Sequence, residues 1–208
     1  MQITVFGANG KVGRLVVRKL LDEGHDVIAF IHRHSNLSEH PGLTLVRGDI
    51  HDGHDVGQAL QGSNAVISTL GSWHTREKNI LSSAVERLVP AMRTAGISRI
   101  ISVTGAGAFT AQDTPNLFDT TQHVLLNTIA PKVLRDGEEH IRLLAESGLD
   151  WTVVRSPVMN ESGGSAYQLG DHFPLPWQTI RRQAVVDCLV AQLNDTSRYG
   201  EAPFITRS

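Results

Sequence analysis

The sequence predicts an α/β fold: a single doubly wound domain whose mostly parallel sheet of six to seven strands carries helices on both faces. Three observations predict it. Short apolar, β-branched runs recur along the chain, and their near-continuous apolarity marks strands buried on both faces, as in parallel sheets. Segments with apolar residues at helical spacing fall between these runs. The alternation of the two repeats six or seven times, which is the pattern of a doubly wound sheet.

Taken in order, the first run is Ile3, Thr4, Val5 and Phe6, and it leads into a segment in which Val12, Leu15, Val16 and Leu20 share one helical face. Strands are expected over 27–31 and 43–46, followed by a helix beginning near Asp52. A strand over 65–67 precedes a helix with Leu81, Ala84, Val85, Leu88 and Met92 on one side. The strand over 100–103 is followed by a helix that carries Ile141, Leu144 and Ala145 and ends at Ser147 and Gly148. A strand over 151–154, a helix with Val185, Leu189 and Leu193, and a weaker strand over 203–206 complete the series. Segments 105–131 and 156–177 break the alternation, the second being rich in Gly, Pro and Ser. Together with 72–78 they are expected to form the substrate loops, because loops after the carboxyl ends of the strands build the pocket in such sheets.

The bulk numbers exclude several classes. At 208 residues, with 40% hydrophobic and 19% charged residues, the chain fits one ordered globular domain over 1–208, without a repeat or an interdomain linker. A net charge of −2 leaves no basic excess to neutralise a nucleic-acid backbone. The single cysteine, Cys188, cannot form an internal disulfide and reads as a small core residue. No window approaches the ~18 consecutive apolar residues that span a bilayer, and the amino-terminal residues run directly into a strand. The expectation is a cytoplasmic protein with a small-molecule partner, no membrane or nucleic-acid partner, and either a monomeric or a homodimeric state.

Chemistry begins at Gly7, Ala8, Asn9, Gly10, Lys11, Val12 and Gly13, between the first strand and the first helix. A strand that turns sharply into a helix aims backbone N–H groups and the positive helix end at an anion, and glycines remove the side chains that would block its approach. Gly7 is expected to close the strand, Gly10 to permit the approach and Gly13 to let the helix pack. This is a Rossmann-type dinucleotide site, with a tight turn lacking any ligand as the alternative reading.

The spacing Gly-x-x-Gly-x-x-Gly resembles that of atypical short-chain dehydrogenases/reductases, in the NAD(P)H-binding group that includes flavin reductase/biliverdin reductase B and NmrA-like proteins. The resemblance runs along essentially the whole chain. It also rests on Arg47-Gly48-Asp49-Ile50, on the run from Ala65 through Ser68, Thr69, Leu70 and Gly71, on Ser102-Val-Thr-Gly105, on the stretch from Glu146 to Arg155, and on Ala202-Pro203. It implies that Asp49 and Ile50 lie beside the adenine, that Thr69, Leu70 and Gly71 line the ribose and nicotinamide side, and that Thr104, Gly105 and Ala106 sit near the nicotinamide. For Asp49 the alternative is a cap for the helix near Asp52.

Strand 2 ends Phe30, Ile31, His32, Arg33, His34, with no carboxylate before Glu39. An acidic residue there would bond a ribose 2′-hydroxyl, whereas a cation suits a 2′-phosphate, so NADP(H) is expected, with NAD(H) as the alternative. His32 and Arg33 are the candidates, the cation standing one position beyond its usual place in the family; a solvated basic loop is the bland reading.

Short-chain reductases that act on alcohols pair a tyrosine with a lysine four residues on. Here Tyr167 and Tyr199 are followed at that spacing by Asp171 and Pro203, and the family's two positions align with Val133 and Gly137. Hydride transfer to a flavin, a quinone or a similar conjugated acceptor needs no such pair, because solvent can protonate the product. The expected function is therefore an NADPH-dependent reductase of such an acceptor, with an NmrA-like NADP(H)-binding redox sensor as the alternative and an NAD-dependent epimerase/dehydratase disfavoured. Thr104 and His140 are the catalytic candidates. A satisfied strand-end threonine is the other reading of Thr104, and an exposed helix histidine is favoured over a catalytic His140. His123 and Lys132 are weaker candidates around the same helix. Trp73 and His74 are placed on a pocket rim, where Trp73 either stacks on a planar substrate or packs beneath its loop, and Arg155 is read as binding a substrate carboxylate or neutralising the sheet edge. His51-x-x-His54 has ligand spacing, but no coherent third ligand stands near it, so no metal is expected.

Overall fold

The computed structural model describes residues 1–73 and 75–208; His74, expected on the pocket rim, lies outside the described residues. The strands are β1 (Gln2–Phe6), β2 (Asp26–Ile31), β3 (Leu43–Arg47), β4 (Ala65–Ser68), β5 (Arg99–Gly105), β6 (Asp150–Ser156), β7 (Val158–Asn160), β8 (Tyr167–Gly170), β9 (Thr179–Arg181) and β10 (Phe204–Arg207). The helices are α1 (Gly13–Asp22), α2 (Gly53–Ala59), α3 (Ile80–Ala95), α4 (Leu117–Ile129), α5 (Pro131–Ala145) and α6 (Arg182–Ala191).

Eight strands form one sheet in the order β3-β2-β1-β4-β5-β6-β10-β8. All neighbours run parallel except β8, which pairs antiparallel with β10. The order reverses between β1 and β4, and a ligand cleft opens beyond the carboxyl ends of strands at such a reversal. All seven expected strands lie in this sheet; β8 adds an eighth, and β7 and β9 pair as a separate parallel ribbon. Strands β7 and β8 come from the stretch 156–177 read as a loop and β9 follows just after it, each run being only three or four residues long.

Alternation along each strand sorts side chains onto two cores. Ile3 and Val5 of β1 and Ile101 and Val103 of β5 pack with α1 and α6. Phe6 and Ile100 pack with α2, α3 and α5 on the other face, joined by Leu88, Met92, Ile141 and Leu144. The intervening polar residues of the same register, Thr4, Ser102 and Thr104, therefore face the second layer. There the Thr4 hydroxyl donates to the Ala59 carbonyl at 2.8 Å, which satisfies a polar group inside the core.

Arg99 stitches the carboxyl-terminal segment to the sheet. Its guanidinium donates to the Asp150 carbonyl, the Thr152 hydroxyl and the Gln192 carbonyl at 2.6 to 2.9 Å and lies over the Tyr199 ring.

Candidate functional site

Backbone geometry makes the glycine turn. Gly7 leaves β1 at φ +76°, and a Cβ there would stand 2.8 Å from the Thr69 carbonyl carbon, so only glycine lets β1 turn this close to the end of β4. The Thr69 hydroxyl donates to the carbonyls of Phe6 and Gly7 at 3.0 and 3.2 Å, fixing that approach from the other side. The Gly10 amide closes the turn onto the Gly7 carbonyl at 2.9 Å. At Gly13 a Cβ would fall 2.1 Å from the Gly7 carbonyl oxygen, so this glycine packs the helix start onto the turn itself. No side chain caps α1 and no acidic residue stands in its first turn, which leaves the positive helix end open to an anion. Ala8 is buried, while Lys11 is exposed at the lip and Val12 is half-buried.

Asn9 is committed elsewhere. Its side-chain amide donates to the His34 carbonyl, and its Oδ1 accepts from the Asn36 amide at 3.1 Å. The turn is thus tied to the segment after β2, where His32 and Arg33 stand exposed immediately past Ile31. Nothing in the spacing of the glycines announces this tether.

After β3, Asp49 and half-buried Ile50 border the same end of the sheet. The cap of α2 is Asp52, whose carboxylate accepts from the His54 amide, and not Asp49, which stays exposed and accepts from the His51 amide at 3.0 Å. His51 pairs with Glu77 at 2.9 Å across the mouth of the layer. Half-buried Thr69 and Leu70 and exposed Gly71 follow β4. Beyond them Trp73 is 57% exposed, which sets aside the reading that it packs beneath its loop. Lys78 holds that loop through the carbonyls of Ser72 and Trp73.

Thr104 ends β5 with its side chain buried against α5. A Cβ on Gly137 would lie 2.8 Å from Thr104 Oγ1 and 3.0 Å from Ala108 Cβ, so α5 comes close to the end of β5 at this residue. The structure corrects the reading of His140. In place of an exposed helix histidine it shows a residue 1% exposed, with Nε2 3.0 Å from Ser102 Oγ and Nδ1 facing no partner among the described residues. Burial pushes its pKa down to about 4, so it is neutral at physiological pH and sealed from solvent, which denies it the role of a proton donor. Arg155 is corrected as well. It is 3% exposed and bidentate to Asp113 at 2.5 and 2.8 Å, donates to the Ala108 and Ala202 carbonyls, and lies 3.7 Å over Phe204, so its donors serve the fold rather than a substrate.

That ion pair pins the loop between β5 and α4, and a row of rings continues from it. Phe204, Phe173, Phe109 and His123 stack in sequence with centroids 4.5, 4.7 and 4.1 Å apart. Phe173 and Phe204 also line a cavity of about 380 Å³ with Leu175, Gln178 and His172. His123 is held by Glu138 at 2.7 Å. Sequence reading missed Asp113, Phe109 and Phe173 because loop aromatics and acids carry no periodic signal. It also missed Asp136, which reaches from α5 to accept from the Leu81 and Ser82 amides and the Ser82 hydroxyl at 2.8 to 3.1 Å, capping α3 from another helix. Lys132 is exposed on the same helix. Cys188 lies in the core, and burial pushes its thiol up to about 12. Among the described residues no helix is long and apolar enough to cross a membrane.

Known proteins share this architecture. A short-chain dehydrogenase/reductase from Veillonella parvula, solved in complex with NADP, matches with a TM-score of 0.79 at 17% identity, covering 99% of this chain and 94% of that one. The anaerobillin reductase ChuY from Escherichia coli O157:H7 matches with a TM-score of 0.76 at 20% identity over 100% and 97% of the two chains. At such identities the likeness is one of fold. The 3-beta-hydroxysteroid dehydrogenase of Mycolicibacterium neoaurum is 33% identical over 112 residues, which are 48% of this chain and 31% of that protein. The chain spans from 31% to 50% of the length of three such curated relatives. The family profile described as NAD(P)H-binding matches residues 7–196, so the chain belongs to the NAD(P)H-binding family.

Proposed function

We propose that the chain is one NADP(H)-binding unit that reduces a flat conjugated acceptor, a flavin or a quinone, without a tyrosine-lysine acid pair. The observation that carries the reading is the close approach of Gly137 to β5: a Cβ there would stand 2.8 Å from Thr104 Oγ1, so a lysine at this position, where alcohol-specific relatives place one, would have to displace Thr104. The glycine turn and the open end of α1 fit a pyrophosphate, since a Cβ at Gly7 or Gly13 would fill the cradle. In this reading Ala8, Asn9, Gly10, Lys11 and Val12 complete the phosphate turn. Arg33, with His32, receives the 2′-phosphate; Asp49 and Ile50 border the adenine; and Thr69, Leu70, Gly71 and Thr104 line the ribose and nicotinamide. The bound dinucleotide supplies the hydride. The protein orients the acceptor: half-buried Phe109 and Phe173 and exposed Trp73 offer aromatic surface for it to pack on.

One feature favours a second reading, a redox sensor that docks a regulatory protein. The outer face of α4 exposes Leu117, Phe118, Val124, Leu125 and Ile129 by 46 to 85%. Mixing the protein with NADPH and a panel of flavins and quinones separates the two. Acceptor-dependent loss of the nicotinamide absorbance supports the reductase, and tight NADPH binding without turnover across the panel sinks it in favour of the sensor. Arg33→Glu is expected to weaken NADPH binding by about tenfold or more while sparing NADH, a loss of ~1.4 kcal/mol; equal effects on both would remove Arg33 from the 2′-phosphate site.

A further inference from the structure

Reduction of a quinone by hydride leaves one proton to be supplied, which solvent can give and a placed side chain gives faster, and neither His140 nor a tyrosine-lysine pair is placed to give it. The pair His123–Glu138 is built differently. Glu138 follows Gly137, on which a Cβ would come within 2.8 Å of Thr104 Oγ1. His123 stands one turn before Leu126 on α4, and Leu126 Cδ1 lies where a Cβ on Gly107 would come within 2.7 Å. Both members of the pair are thus anchored within one turn of contacts with the exit of β5. His123 Nε2 lies 2.7 Å from Glu138 Oε1, and the same oxygen accepts from the Phe109 amide at 3.3 Å. The imidazole stacks on Phe109 at 4.1 Å and keeps 24% of its side chain in solvent. Of the other charged groups on the two helices, Asp119 sits in the α4 capping box, Asp136 caps α3, and Arg142 pairs with Glu139 and Glu146, while Lys132 and Arg135 are exposed.

We propose that His123 is the proton donor for the acceptor and that Glu138 is its positioning residue. This rests on the reductase reading above. The carboxylate holds hydrogen on Nε2, which makes Nδ1 the atom that gains and releases the transferable proton. The acceptor takes a hydride from the dinucleotide and a proton from Nδ1–H of the imidazolium. It ends two electrons reduced, with the dinucleotide oxidised and His123 neutral, and the partial exposure of His123 lets solvent return the proton.

Two acceptors that differ only in this need test the proposal. A benzoquinone takes hydride and a proton, whereas an N-alkylacridinium cation takes hydride alone. With NADPH, His123→Gln is expected to lower the quinone-to-acridinium rate ratio about 100-fold, at the low end of the range for general acid catalysis. Glu138→Gln is expected to lower the ratio less and to change a readout outside turnover. In the cofactor-free protein, imidazole nitrogen chemical shifts should report hydrogen on Nε2 of His123 in the wild type and a mixture of tautomers in Glu138→Gln. An unchanged ratio in His123→Gln, an equal loss on both acceptors, or a tautomer indifferent to Glu138 overturns the assignment while leaving the reductase reading intact. So does a wild type that reduces the cation but not the quinone. A wild type that oxidises NADPH with neither acceptor overturns both.

Discussion

Gly13 and Gly57, on helices packed against opposite faces of the sheet, show how differently one hydrogen atom weighs at two places in the molecule. At Gly13 an added methyl meets the Gly7 carbonyl oxygen at 2.1 Å, and the only relief is to open the turn. Gly13→Ala is expected to raise the dissociation constant for NADPH at least tenfold by calorimetric titration, ~1.4 kcal/mol or more. At Gly57, inside α2, nothing lies within 4 Å of the added carbon, so Gly57→Ala is expected to stabilise the fold by about 0.5 to 1 kcal/mol and to leave cofactor binding unchanged. The two glycines are equivalent in composition but not in spacing, and spacing is why the turn was legible in the sequence. Arg155 and His140 were not legible. Whether an arginine at a strand end or a histidine on a helix meets solvent depends on Asp113 and Ser102, which lie 42 and 38 residues away along the chain.

Among the elements, α3 depends on a neighbour. Its own preceding residue, Asn79, makes no side-chain cap bond, and buried Asp136 of α5 takes over the first amides instead. Asp136→Ala is expected to cost about 2 to 3 kcal/mol in chemical denaturation, more than an ordinary cap because buried donors are left bare. Asp136→Asn, which keeps one acceptor, is expected to recover part of the loss. The helices read best from the sequence are those with an apolar stripe facing the sheet, α1 and α3, where burial and periodicity coincide. Helix α4 escaped because its apolar residues face outward and it buries none, so the segment read as an interruption. Strands β7 to β9 escaped because three or four residues give no countable alternation.

For the molecule as a whole, acidity is the expected weakness. His140 has a folded pKa of about 4 against an ordinary value near 6.5, so the unfolded chain binds more protons between those values. Stability is complete above pH ~6.5 and falls as the pH drops toward ~4. His140→Gln, which keeps a partner for Ser102 and cannot titrate, is expected to reduce the loss of unfolding free energy between pH ~7 and ~4.5 by about 2 kcal/mol. An undiminished loss would place the acid sensitivity elsewhere. The mostly parallel sheet and the glycine turn were legible because they follow from alternation and glycine spacing, whereas the ring row and the ion pair at the far end arise from contacts among loops.

The tether from Asn9 to the segment after β2 acts at this scale too. It couples the pyrophosphate end and the 2′-phosphate end of the proposed site through a single side chain, so that both recognition elements are set by the folding of the chain. Each residue ordered in this way gives up ~1 to 2 kcal/mol of conformational freedom before any ligand arrives. A dinucleotide is therefore expected to meet a preformed template, with discrimination between the two cofactors read in their dissociation rates.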